Sequence, residues 1–219
     1  MPAVKIDFVS DIACPWCAVG LGGLLTAIDR IGPALQFELQ MQPFELNPDM
    51  PPGGQNTGER LMKKYGFDHA RLQENRQVIA ERAAAVGMPM LQTDESRSYN
   101  TFDAHRLLHW AGTVGQAEQI ALKRVLLKTY HFDNRDTSDP AVLEQAACEA
   151  GLDAGLAHDV LESGRYVDEV RAAQDHWRAL GITSVPSVIL NDRYLISGGQ
   201  PPEVFEQALR QVAAEPRLI

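Results

Sequence analysis

The stretch Ser10-Asp11-Ile12-Ala13-Cys14-Pro15-Trp16-Cys17-Ala18-Val19-Gly20 decides how the rest of the chain is read. Before it, Val4, Ile6 and Phe8 alternate with Lys5, Asp7 and Val9, the period-two pattern of a strand. After it, helical spacing runs from Pro15 to about Arg30, where Gly32-Pro33 stops it. The cysteine pair therefore falls where a strand hands over to a helix. Pro15 suits a first helical turn, because its missing N–H would be unpaired there anyway. Cys14 then lies at the helix N-terminus, where free N–H groups and the macrodipole favour an anion, and the thiolate is the nucleophilic form of cysteine. One helical turn brings Cys17 back beside Cys14, so that Cys17 can resolve a mixed disulfide formed on its neighbour. A zinc site fits poorly, since zinc takes four ligands and the remaining cysteine, Cys148, has no partner near it.

Working outward, Leu35, Phe37, Leu39 and Met41 alternate with other residues up to Pro43 and predict a second strand, giving strand, helix, strand with parallel pairing. Residues 48–56 are rich in proline, glycine and polar side chains and read as a linker. Helical periodicity then dominates to about Leu180, with candidate helices at 57–65, 68–86, 95–112, 115–129, 138–150, 153–162 and 165–180. Strand character returns at 185–190 and 194–196 around the turn Asn191-Asp192, and Pro201-Pro202 opens a last helix over 202–214. The layout is an α/β core, β-α-β then β-β-α, formed by residues 1–48 and 181–219, with an all-helical insertion domain at 57–180.

Composition narrows the function classes. The chain of 219 residues carries 20 basic and 29 acidic side chains, a net charge of −9, so a polyanion such as nucleic acid is a poor partner. The longest mainly apolar run, 18–28, falls well short of the roughly 20 residues of a membrane span. Asp7 and Asp11 precede it and only Lys5 is basic, unlike a secretory leader. The expected setting is the reducing cytoplasm, where a close cysteine pair is catalytic or metal-binding rather than structural.

Several other residues are candidates for the site. Pro186, in Thr183-Ser184-Val185-Pro186, enters a strand without a ladder donor. It fits either a trans proline at the strand start or a cis bond exposing the Val185 backbone to an extended substrate. Trp16, between the sulfurs, is a candidate apolar contact for substrates. His105 either packs in its helix or faces the cysteines to supply a proton. His109, four residues on, makes no convincing metal face with it. Asp11 is read mainly as a cap for the turn, and Cys148 as a buried small apolar residue.

Taken together, Ser10-Asp11 before Cys14-Pro15-Trp16-Cys17, Gly20 after it, Asn100-Thr101 with Ala104-His105, Thr183 to Pro186, and Gly198 to Pro202 make the chain resemble the thioredoxin-fold superfamily. Within it the likeness is to DsbA-type proteins with an inserted helical domain, and most to the FrnE-like branch. The resemblance spans essentially the whole chain. It implies a thioredoxin-like fold and dithiol–disulfide oxidoreductase activity, with Cys14 and Cys17 catalytic and the Val185–Pro186 bond cis. It places Trp16, Val185, Pro186, His105 and Asn100 in the substrate site. No bound cofactor or metal is implied; glutathione can serve as redox partner, substrates are proteins or small molecules bearing thiols or disulfides, and a homodimer is compatible. Related chromene-carboxylate isomerases and kappa-class glutathione transferases carry serine at the first motif position and an acid after the late glycine. Here Cys14 and Gln200 stand there. A glutathione-dependent isomerase or transferase is thus the alternative, and a non-catalytic redox sensor a third reading.

Overall fold

The structure, a computed structural model, describes residues 3–215; the ends of the expected core, residues 1–2 and 216–219, lie outside the described residues. The first unit is β1 (Val4–Ser10), α1 (Pro15–Ile31), a short 3-10 turn (Gly32–Ala34) and β2 (Phe37–Pro43). A helical block follows: α2 (Thr57–Tyr65), α3 (His69–Ala85), α4 (Phe102–Val114), α5 (Gln116–His131), α6 (Pro140–Glu149), α7 (Ala154–Glu162) and α8 (Val167–Ala179). Two short strands, β3 (Gln55–Asn56) and β4 (Arg97–Ser98), tie its first part together, and the chain closes with β5 (Ser187–Leu190), β6 (Tyr194–Ser197) and α9 (Pro202–Ala214). The main sheet runs β2-β1-β5-β6, with β1 parallel to β2 and antiparallel to β5. This is the expected thioredoxin-like β-α-β … β-β-α arrangement carrying a helical insertion.

The alternation in β1 sorts its side chains onto two faces. Val4, Ile6 and Phe8 pack with Leu21 and Leu24 of α1 and with Phe205 and Leu209 of α9. Val9 points the other way, onto Phe44, Trp177 and Ile182. Ile12, just past the strand, leaves the sheet and is wholly buried in the core of the helical block, among Leu107, Leu122 and Leu126. The block is therefore locked to the sheet by a residue of the motif loop itself.

The outer edge of β2 is closed by α5. Gln116 Oε1 accepts from the Leu39 N–H (2.7 Å), and Gln119 Oε1 accepts from the Met41 N–H (2.9 Å). The Gln119 side-chain amide also donates to the Leu108 carbonyl (3.0 Å). Two glutamines thus take the place of a neighbouring strand and satisfy donors that an open edge would leave unpaired.

Three readings from the sequence change. The helix expected over 95–112 starts at Phe102, because Arg97 and Ser98 pair antiparallel with Asn56 and Gln55 and the Asn100 side chain accepts from the Phe102 N–H (2.9 Å). The expected linker 48–56 accordingly ends in β3. Cys148, expected to be buried, is exposed: α6 turns Val142, Leu143, Ala146 and Ala147 inward, and the next position faces out.

Replacing Gln119 by alanine leaves the Met41 N–H buried and unpaired. The variant is expected to lose about 1–3 kcal/mol of stability in urea unfolding, the cost of stranding a buried polar group.

Candidate active site

Cys14 is the N-cap of α1, in extended conformation, and Pro15 opens the helix. Its N–H donates to the Asp11 carbonyl (3.3 Å), and its carbonyl accepts from the Cys17 N–H (3.0 Å), closing the first turn. Both cysteines are free thiols. Their exposure differs: Cys14 keeps 5% of its surface open, Cys17 none. Burial pushes the Cys17 thiol well above its ordinary value, and its hydrogen bond and charge interaction with Cys14 push the same way.

The loop before β5 closes on the pair. The Val185–Pro186 bond is cis, and the Cys14 thiol donates to the Val185 carbonyl (3.5 Å). Glycines in α1 permit the approach: a Cβ on Gly20 would lie 3.0 Å from Pro186 Cγ, and one on Gly23 would lie 2.6 Å from the Gln200 carbonyl oxygen. Gly199 packs as tightly on Trp16, where a Cβ would lie 2.9 Å from the Trp16 carbonyl oxygen. Trp16 is half-buried, with the Arg82 guanidinium 5.5 Å from its ring centre. Cys14, Trp16, Val185 and Pro186 are thus brought together.

His105 and Asn100 are placed differently. The His105 Nε2 lies 3.0 Å from the Phe44 carbonyl and 3.6 Å from an Asp11 carboxylate oxygen, and the ring is buried. Asn100 donates to the Pro48 carbonyl (3.3 Å) and accepts from the Phe102 N–H (2.9 Å) just before α4. Neither borders the cavity at Cys14; their polar atoms hold backbone around the motif loop. Asp11 does cap its turn, accepting from the Ala13 N–H (3.1 Å), and also from the Leu46 N–H (2.7 Å) and the Thr101 hydroxyl (2.9 Å). Burial by itself would raise its pKa. The His105 contact and the Leu46 and Ala13 amides more than offset this and hold the carboxyl below its ordinary range.

Two residues of α5 complete the site. Lys123 is fully buried, and its ammonium nitrogen has no hydrogen-bond partner among the described residues. Burial lowers its pKa, while the nearby Cys17, Asp11 and Cys14 act to raise it. His131 donates from Nε2 to the Ile12 carbonyl (2.8 Å), its Nδ1 is buried with no hydrogen-bond partner among the described residues, and burial pushes its pKa down to about 4. Sequence reading passed over both. The available signal was a lysine on the inward stripe of α5, four residues from Gln119 and from Leu127.

Cys14 opens onto a cavity of about 360 Å³ between the motif and the α2–α3 pair, with Tyr130 and His131 in its wall. An accessible sulfur at a helix N-terminus, a second sulfur sealed behind it and a neighbouring cis-proline loop can support thiol–disulfide exchange.

Comparison with known proteins agrees with this geometry. Residues 5–210 match the family model of the DSBA-like thioredoxin domain, and the chain belongs to that family. The chain is 34% identical to a probable DsbA oxidoreductase from Streptomyces coelicolor, with a TM-score of 0.90 over 99% of this chain and 92% of that one. It shares its fold with the cytosolic disulfide reductase DsbM of Pseudomonas aeruginosa, crystallised with glutathione (16% identity, TM-score 0.65, covering 96% and 100%). It shares it also with a 2-hydroxychromene-2-carboxylate isomerase (14% identity, TM-score 0.64, covering 95% and 96%). No curated protein matches the sequence.

The His131 shift has a consequence for acid stability. Its folded pKa, about 4, lies below its ordinary 6.5. Between those values the unfolded chain binds a proton that the folded chain refuses, so stability falls as pH falls, by up to about 1.4 kcal/mol per pH unit. His131→Gln, which keeps a donor for the Ile12 carbonyl, is expected to lose this dependence. The check is the difference between the urea-unfolding free energies of wild type and variant across that window.

Proposed function

We propose that the protein is an enzyme of dithiol–disulfide exchange, with Cys14 as the attacking sulfur and Cys17 as the resolving one. The observation that carries this reading is the Cys14 thiol at the N-terminus of α1, 3.5 Å from the Val185 carbonyl, with Cys17 sealed behind it. In the reductive direction the Cys14 thiolate attacks one sulfur of a substrate disulfide, breaking the S–S bond and releasing a thiolate. Cys17, after losing its proton, attacks Cys14 Sγ and expels the second substrate thiolate. The Cys14–Cys17 disulfide that remains has given two electrons to the substrate, and the reverse steps oxidise a dithiol. Lys123 supplies the positive charge that eases ionisation of Cys17 against its burial. Val185 and cis-Pro186 hold the substrate beside Cys14, and Trp16 provides an apolar face.

Thiol- or disulfide-bearing proteins and small molecules are the substrates in this reading. Glutathione serves as redox partner, and the setting is the reducing cytoplasm. No helix of the described residues is long and apolar enough to cross a membrane.

Cys17→Ala should stop after the first step and hold a substrate on Cys14. In a Cys148→Ala background, which removes the exposed third thiol, it is expected to gain one glutathionyl group by intact mass on incubation with oxidised glutathione, whereas Cys14→Ala in the same background should gain none. Wild-type rates of thiol–disulfide turnover in Cys17→Ala would overturn the resolving role of Cys17, and absence of any disulfide exchange in the wild type would overturn the proposal and favour a glutathione-dependent isomerase or transferase.

A further inference from the structure

The cavity in front of Cys14 differs in charge from the molecule that holds it. The chain has a net charge of −9, yet the cavity wall includes Arg60, Lys64, Arg76 and Arg97 and contains no aspartate or glutamate. Arg76 is spoken for: it pairs with Asp94 (2.6 Å) and donates to the Thr93 carbonyl (2.8 Å). The other three have no carboxylate partner among the described residues. Arg97 donates to the carbonyls of Gly53 and Gly54 (2.9 Å each). Arg60 donates to Asn47 Oδ1 (2.8 Å) and Ser98 Oγ (3.1 Å), both neutral, and its Nε is buried with no partner. Lys64 stands one helical turn on along α2, exposed, 5.5 Å from the Tyr65 ring centre. A buried guanidinium nitrogen with no acceptor is costly unless something else supplies one.

Apolar side chains make up much of the rest of the wall, beside polar ones such as Thr57, Asn75 and Gln92. Trp16, Leu61 and Ile79 line it, and Tyr65 stacks on Phe67 with ring centres 5.4 Å apart although Tyr65 is 56% exposed. The volume, about 360 Å³, falls at the small end of the roughly 300–1,000 Å³ of small-molecule sites. It suits a small organic molecule rather than a protein loop.

We propose that this cavity binds low-molecular-weight disulfides that carry carboxylates, with Arg60 and Lys64 recognising the anionic groups while the S–S bond lies at Cys14. The inference rests on the dithiol reading and names its substrate class. The reaction is the balanced exchange given above: the substrate disulfide takes two electrons and leaves as two thiols, and Cys14 and Cys17 become a disulfide.

The test uses three small disulfides of similar length and different charge: dithiodipropionate (anionic), bis(2-hydroxyethyl) disulfide (neutral) and cystamine (cationic). The rate at which each oxidises the reduced protein is divided by its rate with dithiothreitol, which removes intrinsic reactivity. The normalised rates are expected to fall in the order anionic, neutral, cationic, with the anionic preference roughly tenfold or more at low ionic strength and reduced by salt. Lys64→Glu, at an exposed position that needs no refolding of the wall, is expected to lower the anionic-to-neutral ratio, and Arg60→Gln with Lys64→Gln to abolish it. Arg193→Glu, the same two-unit charge change at the β5–β6 turn, should leave the ratio at its wild-type value. Equal normalised rates for the three disulfides, or an anionic preference that survives in the Arg60/Lys64 variant, would overturn the assignment of this cavity while leaving the dithiol reading intact. Failure of every disulfide to oxidise the Cys14–Cys17 pair would instead remove the dithiol reading on which the assignment stands.

Discussion

Asp11 carries a carboxylate wholly removed from solvent; its oxygens accept three hydrogen bonds and the His105 ring lies 3.6 Å away, so that three separate parts of the chain meet on it. The Ala13 amide belongs to the motif loop, the Leu46 amide to the segment leaving β2, and the Thr101 hydroxyl and the His105 ring to the start of α4. A buried ion left without its partners costs several kcal/mol, on the order of 3–5 when a pair is broken, so these contacts must form together or not at all. Their joint geometry fixes where β1 ends and where Cys14 begins α1. Ile12 points into the helical core from the same loop, so the polar tie and the apolar plug clamp one segment from opposite sides. The helical block is in this sense part of the active-site scaffold.

That constraint explains the electrostatic layering behind the cysteines. Cys14 has the helix N-terminus and a small opening; Cys17 has neither, and burial opposes its ionisation. The charges that can act on Cys17 come from beneath, where α5 presents Lys123 against Asp11 and the two sulfurs. Burial disfavours the lysine cation and the Cys17 thiolate alike, and each charge relieves the cost of the other.

Much of this was legible in the sequence because the relevant signals are local. The alternation of Val4, Ile6 and Phe8 gives β1, and Pro15 after Cys14 gives the start of α1. Asn191 and Asp192, both with positive φ (48° and 57°), make the tight turn of the β5–β6 hairpin. The family likeness carried the cis bond at Pro186, which spacing alone left open. What escaped has no local signature. The pairing of β3 with β4 covers two residues per strand, too few for a period to show. For His105 the sequence left helix packing and facing the cysteines both open, and the family likeness put it and Asn100 in the substrate site, because sequence spacing cannot say which face of α4 meets which loop. Arg60 and Lys64 look like the solvated face of an amphipathic helix until the fold sets α2 opposite Cys14. Lys123 and His131 matter only because α5 passes beneath the motif, a long-range contact invisible in the linear order.

The measurement that bears most directly on the central claim is the redox equilibrium of the Cys14–Cys17 pair in glutathione buffers, followed by Trp16 fluorescence and by counting free thiols. The account predicts one reversible two-electron transition in which both thiols disappear together, and its absence in Cys17→Ala. Retention of both the Cys14 and Cys17 thiols across the whole range of buffers, counted in a Cys148→Ala background, with no fluorescence change, would contradict it.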